Sequence, residues 1–207
     1  MGKRQIAAMQ TRLNLLTAAE KLIAEKGFEC VTITDIVREA HVSIGCFYTY
    51  FRHKEDIVNE IAKSNFSVME AQSRSVAGDV CEKIGDFLTK SMRYVMDSGL
   101  HLAQQWQINI VDPDNQDGKK KLVYDRSVIH DLLQTAVQQR ELSADTPVEQ
   151  FRDWITAQYY GSGVCWCITN GATDPAAQIE QYCQVMLRNA LAPYRTDAPE
   201  SNKGEAL

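Results

Sequence analysis

Residues 32–51 read TITDIVREAHVSIGCFYTYF. Thr32 is a side chain that caps helices, and Asp35 stands three residues on, where a capping box would close. Residues 33–40 therefore read as a helix of about two turns, and Ile36, Val37 and Ala40 share one side of it. Ser43 is a second natural cap, so residues 44–50 read as another short helix. Two short helices joined by a turn of three or four residues make a helix-turn-helix. In that arrangement Ile36, Val37 and Ala40 must be buried, Val42 must plug the junction, and Phe47 and Phe51 must face inward. Ile44, Gly45, Cys46, Tyr48, Thr49 and Tyr50 are then left on the outer face, which would enter the major groove of duplex DNA.

The flanking chain is helical nearly throughout. Residues 5–27 carry Met9, Leu13, Leu16, Ala19, Leu22 and Ile23 along one side, and Gly27 closes the helix. A long helix starts near Lys54 with Ile57, Val58, Ile61, Val68 and Met69. Val80, Ile84, Phe87, Leu88, Ser91 and Val95 stripe the next, and Leu102 and Trp106 continue helically. Asp112–Gly118 reads as a loop. Leu122, Ile129, Leu132, Leu133 and Ala136 mark a further helix. Pro147, in the first helical position, opens another that Gly171 ends, and a last helix spans about 175–191 before Pro193. No stretch alternates at period two, so the expected class is all-α. The expected division is a helix-turn-helix domain over 1–53, a larger helical bundle over 54–192 and a mobile polar tail over 193–207.

Composition sets outer limits. The chain has 207 residues, 44% apolar and 24% charged, which suits a soluble globular protein with its own core. It shows no apolar run of membrane-spanning length and no secretory leader, so a cytoplasmic location is expected. Six cysteines form neither a CxxC pair nor a zinc-like block, and they read as reduced thiols. Net charge is −5, yet residues 1–55 hold eight Lys/Arg against six Asp/Glu while the remainder is acidic. That asymmetry fits a polyanion met by the first quarter alone. A nucleoid protein without sequence preference would carry far more basic residues. No G-x-S-x-G, GxGxxG, P-loop or HExxH motif is present, so no catalytic residue, metal or cofactor is assigned.

The segment closely resembles the DNA-binding domain of the tetracycline-repressor (TetR) family of bacterial regulators. The resemblance rests on Gly27-Phe28, Thr32, Ile36, Ala40, Val42, Ser43, Gly45, Phe47, Tyr48, Tyr50, Phe51, Lys54 and Glu55, over about residues 10–60. Two positions depart from the family pattern. His41 replaces the usual turn glycine, where a left-handed backbone is needed, and His53 replaces a frequent capping residue. The resemblance implies that Thr32 and Thr34 lie near the DNA backbone. Ser43, Tyr48 and Tyr50 would bind phosphate, and Ile44, Gly45, Cys46 and Thr49 would meet bases. Lys54 would offer its backbone N–H and its ammonium to phosphate. Lys3, Arg4 and Arg12 would add basic contacts near the amino end.

For the bundle, the helix of about 148–170 is apolar nearly all round, so one face should meet a partner. The resemblance implies a homodimer through the last two long helices, and Gly161, Val164, Cys165, Ile168, Tyr182, Val185 and Met186 are the candidate interface residues. It also implies a cavity for a small, mainly apolar or aromatic effector. Its candidate liners are Phe87, Ser91, Tyr94, Trp106, Tyr124, His130, Gln158 and Tyr159. The implied activity is a repressor that binds a palindromic operator in double-stranded DNA and is released by effector. The alternatives are a regulator that senses oxidants through Cys165, Cys167 or Cys183, and a helical enzyme or binding protein with no DNA role.

Overall fold

The computed structural model describes residues 2–114 and 116–196, apart from the Lys3 side chain. The helices are α1 (Lys3–Lys26), α2 (Ile33–Glu39), α3 (Ile44–Tyr50), α4 (Lys54–Arg74), α5 (Val80–Asp97), α6 (Leu100–Val111), α7 (Gln116–Gln138), α8 (Val148–Ile168), α9 (Pro175–Gln181) and α10 (Arg188–Leu191). A π-helical stretch, Tyr182–Leu187, joins α9 to α10, and 3₁₀ turns lie at Phe28–Cys30 and Ala192–Tyr194. No strand occurs among the described residues. One isolated antiparallel bridge pairs Leu142 with Arg195. The fold is all-α, and no helix among the described residues is long and apolar enough to cross a membrane.

The chain forms two compact units. The first runs to Met69 and takes in Arg93–Trp106 as well. Its core joins Leu15, Ala18, Ala19 and Leu22 of α1 to Phe28, Ile36, Val37, Phe47, Phe51, Ile57, Val58, Ile61 and Leu102. This unit extends past the expected boundary at residue 53 because aromatic packing draws later segments in. The Phe66 ring meets Tyr94 edge-on at 5.5 Å, Tyr94 stacks on Trp106 at 6.3 Å, and Trp106 Nε1 donates to Asn59 Oδ1 at 2.5 Å. The expected stripe of α1 holds in its second half, where Ala19 and Leu22 are buried and Leu16 and Ile23 pack against the core. Met9 and Leu13 are exposed, because only the second half of α1 is covered by its own unit. Val68 on α4 is exposed as well.

The second unit comprises Glu70–Met92 and the chain from Gln107 onward. Val80, Ile84, Phe87 and Leu88 of α5 lie in its core with Ile129 and Leu133 of α7 and Ile155 of α8. The expected loop at 112–118 is shorter than its composition suggested. Gly118 lies inside α7 because it is a packing glycine: a Cβ there would stand 2.8 Å from the Asn109 carbonyl carbon and 2.9 Å from Ile110 Cα. Pro147 precedes α8 as its cap and does not occupy the first turn. Gly171, at φ +84°, ends the α8 turn by returning its N–H to Trp166 O at 2.9 Å.

The expected mobile tail begins too early. Tyr194 O accepts from Ser143 N at 2.7 Å, Thr196 N donates to Glu141 O at 3.2 Å, and the Tyr194 ring meets Phe151 edge-on at 5.8 Å. Residues 197–207 of that tail lie outside the described residues. Asp79 is the electrostatic anchor of this end of the unit, binding Arg188 at 2.6 Å and Arg195 at 2.5 Å. Burial pushes its carboxyl up, but the Arg195 hydrogen bond, the Glu82 N–H and both guanidinium charges hold it below its ordinary value.

A carboxyl whose folded pKa is depressed stabilises the fold above its unfolded pKa and loses that contribution as pH falls. Asp79→Asn is therefore expected to cost about 1–2 kcal/mol at pH 7, since its partners are partly exposed. The deficit relative to the parent should shrink once pH drops below about 4. Thermal melts of both proteins across pH 3–7 check this.

Candidate nucleic-acid interface

Local hydrogen bonds build the reading head. Thr32 Oγ1 accepts from Asp35 N at 3.1 Å, and the Asp35 carboxylate accepts from Thr32 N at 3.1 Å and from Thr32 Oγ1 at 2.6 Å. These bonds hold the Asp35 carboxyl below its ordinary pKa. The Thr32 hydroxyl is thus engaged in the cap, while Thr34 is exposed. The turn is a Schellman motif: Val42 N donates to Val37 O at 3.0 Å, and His41 N donates to Arg38 O at 3.2 Å. It requires a left-handed residue, and His41 supplies it at φ 55°. Val42 packs against the core as the plug of the junction.

Ser43 Oγ then caps α3 by accepting from Cys46 N at 3.2 Å. Phe47 and Phe51 are buried with their rings 5.5 Å apart. A seven-residue helix pinned on that side must present its other side outward. Ile44 is 51% exposed and Tyr48 55% exposed; Ser43, Gly45 and Thr49 are exposed with them. Cys46 is half-buried, and Tyr50 is half-buried against the core. Thr49 Oγ1 donates to Gly45 O at 3.1 Å.

Two basic residues differ from the expectation. The Lys54 ammonium donates to Phe28 O at 2.8 Å and Val31 O at 2.9 Å and sits 3.9 Å from the centre of the Phe28 ring. Two of its three N–H donors thus tie the first turn of α4 to the 3₁₀ turn before α2 and its capping residue Val31, and the Lys54 backbone N–H remains for a phosphate role. Arg12 forms an ion pair with Glu60 and lies 5.8 Å from the centre of the Phe51 ring. Asp56 does the capping that His53 lacks, accepting from Arg52 N at 2.8 Å and His53 N at 2.9 Å. Sequence reasoning passed over Asp56, though an acid in the first turn of a helix was the available signal.

The candidate effector liners are divided between the two units. Tyr94 and Trp106 belong to the first unit. In the second, Phe87, Ser91 and Tyr159 are buried and Tyr124 is half-buried. His130 faces outward to Glu149 at 3.3 Å and Asp131 at 3.4 Å. Gln158 is exposed and donates to Ser162 at 3.2 Å. The candidate interface residues do share a character: Gly161, Cys165, Ile168, Val185 and Met186 are exposed, and Val164 and Tyr182 are half-buried. A Cβ at Gly161 would meet nothing within 4 Å.

Of the three candidate sensor thiols, Cys183 is buried, Cys167 half-buried and Cys165 exposed. Burial pushes Cys81 up to about 11 and Cys183 up to about 12, and it raises Cys167 too. Such thiols stay protonated at neutral pH and react slowly. Among the described residues no group of three His, Cys, Asp or Glu is placed to hold a metal ion.

A cap-locked helix-turn-helix at the amino end of an all-α chain is an arrangement that DNA-binding regulators use. Residues 15–61 match the family model described as "Bacterial regulatory proteins, tetR family". HbdR, an HTH-type transcriptional regulator of Aromatoleum sp. (strain CIB), is 45% identical over 49 residues, which cover 24% of this chain and 21% of HbdR. The HTH-type transcriptional repressor KstR2 of Mycobacterium tuberculosis is 22% identical over 167 residues, 73% of this chain and 82% of KstR2. Thermus thermophilus FadR, a TetR-family repressor solved with lauroyl-CoA, superposes with a TM-score of 0.65 at 20% identity over 91% of this chain and 97% of its own. At that identity the likeness concerns the fold. The likeness to that family of regulators is carried by the helix-turn-helix segment, residues 15–61.

Because the Lys54 ammonium is spent on two carbonyls, Lys54→Met is expected to destabilise the protein by about 1–3 kcal/mol. It should leave the salt dependence of DNA binding unchanged, since each lost phosphate contact lowers that slope by about one. Urea melts and binding titrations at several salt concentrations read the two quantities separately.

Proposed function

We propose that the chain is a homodimeric, cytoplasmic repressor that binds a palindromic operator with the exposed face of α3 and leaves it when a small, mainly apolar or aromatic effector binds. The observation that carries this reading is the asymmetry of α3, with Phe47 buried in the core and Ile44, Gly45, Tyr48 and Thr49 turned outward. Such a face suits the major groove, where Ile44 would make apolar contact with a thymine methyl and Thr49 would reach a base edge. Ser43, Tyr48, the backbone of Thr32 and Thr34, and the Lys54 N–H suit phosphate. KstR2, related over most of this chain, is named a repressor, which supports that sign of regulation.

The dimer reading rests on α8 and the segment beyond it. Trp154, Ala157, Gly161, Cys165 and Ile168 lie at helical spacing along an exposed face of α8, with Val185 and Met186 exposed near the carboxyl end. Exposed apolar residues in such a row favour a second copy of the same surface. Two heads related by a two-fold axis would address half-sites about 34–36 Å apart or somewhat more. α4 contributes residues to both units, so an effector bound in the second can act on the first through it. The effector must prefer the spread form of the dimer to the form that fits DNA, and release follows from that difference alone.

The test is made on the whole chain with operator fragments selected from genomic DNA. The parent should sediment as a dimer at micromolar concentration and bind the selected fragments far more tightly than random DNA. Ile168→Glu combined with Val185→Glu should give a folded monomer whose operator affinity falls at least tenfold. A parent that sediments as a monomer, or binds random and selected DNA alike, overturns the reading.

A further inference from the structure

Asp125 is absent from the apolar stripe that organises α7, yet it is among the most deeply buried residues of the second unit, at 1% exposure. Its carboxylate accepts from the Tyr160 hydroxyl of α8 at 2.7 Å and pairs with the Lys121 ammonium one turn earlier on α7. Taking a carboxylate out of water costs several kcal/mol, and an apolar residue at such a site is often the more stable choice. The chain nevertheless holds a negative charge where its core could have been continuous.

The surroundings of that charge are those of a cation receptor. The Lys121 ammonium lies 5.8 Å from the centre of the Tyr124 ring and 5.9 Å from that of Tyr159, within the range of cation–π attraction. Both rings are held independently of the lysine. Tyr124 donates its hydroxyl to Glu70 at 2.6 Å, and Tyr159 meets Tyr160 edge-on at 5.3 Å. Burial beside Asp125 raises the Tyr160 phenol far above its ordinary value, so it remains a donor. Lys121 differs from these groups in kind. It is a compact charge on a flexible four-carbon stem, its side chain is 22% exposed, and that stem can carry the ammonium toward water when another cation replaces it at Asp125.

We propose that Asp125, Tyr160 and the faces of Tyr124 and Tyr159 form a binding site for the ammonium head of an organic amine effector, and that Lys121 occupies this site in the unliganded protein as an internal competitor. The proposal deepens the regulatory reading and rests on it for the word effector, but the site itself is defined without DNA. An incoming alkyl- or arylammonium takes the place of the lysine head, and Lys121 turns outward to solvent. The internal ammonium reduces apparent ligand affinity by the fraction of molecules whose site it fills. A carboxylate ligand would instead meet the charges of Asp125 and Glu70 once the lysine had left.

The experiment uses the full-length protein and two probes of similar size and opposite charge, phenethylammonium and 3-phenylpropionate. Calorimetry and thermal shift should show saturable binding of the amine and none of the acid. Lys121→Ala removes the competitor and should tighten amine binding at least tenfold. Asp125→Asn should abolish it. Tyr160→Phe, which keeps the ring, should weaken it severalfold and serves if the asparagine variant fails to fold. Equal binding of amine and acid, absence of amine binding, or amine affinity unchanged in Lys121→Ala overturns the proposal. Operator binding measured without amine separates the two readings. A protein that binds its operator but not the amine loses only this site, and one that binds the amine but no operator loses only the regulatory role.

Discussion

The burial of Phe47 is the constraint that sets the geometry of the reading head. Its ring is fully enclosed by the core that α1, α2 and α4 supply, and Phe51 is buried one turn further along. A helix of two turns has too few residues to choose its orientation in any other way. Once that side is fixed, the rotation of α3 is fixed, and Ile44, Tyr48 and Thr49 point away from the protein. Ser43 and the Schellman turn at His41–Val42 only decide where α3 begins. The apolar contact decides which way it faces. Loss of a large buried aromatic costs about 3–5 kcal/mol, which is comparable to the whole stability of a marginal domain.

Specific polar contacts also bind the head to α4 and α6. The Lys54 ammonium holds the start of α4 to the carbonyls before α2, and Arg12 pairs with Glu60 one and a half turns into α4. Beside Glu60, Asn59 accepts from Trp106 of α6. These bonds make α4 a part of the head rather than a flexible tether to it. A displacement of α4 would therefore carry α3 with it, as a regulator that works by moving its DNA-reading helices requires. The same contacts engage Lys54 and Arg12, two residues that the resemblance offered to DNA.

Much of this was legible in the chain because it depends on local rules. The caps at Thr32 and Ser43, the left-handed His41 and the inward Phe47 and Phe51 follow from residue type and spacing within twenty residues. The failures share a cause, which is dependence on residues distant in sequence. Met9 and Leu13 have helical spacing, but among the described residues they are left exposed. Gly118 looked like a loop residue because its reason for being glycine is the backbone of α6. Lys54 has the right position for phosphate, and its actual partners, Phe28 and Val31, lie more than twenty residues earlier. Asp125 gave no signal, since a carboxylate among polar neighbours on a helix reads as solvated until Tyr160 is brought against it from α8.

The central claim is that the outer face of α3 reads bases, and a change of specificity tests it more directly than a loss of binding. Ile44 offers only apolar contact, whereas arginine at the same place would seek the O6 and N7 acceptors of guanine. DNA fragments selected by the parent and by Ile44→Arg from one random pool should yield palindromes that differ at a single symmetric pair of positions, with guanine favoured in the variant. Identical preferences for the two proteins, with both folded and both binding DNA, would contradict the account.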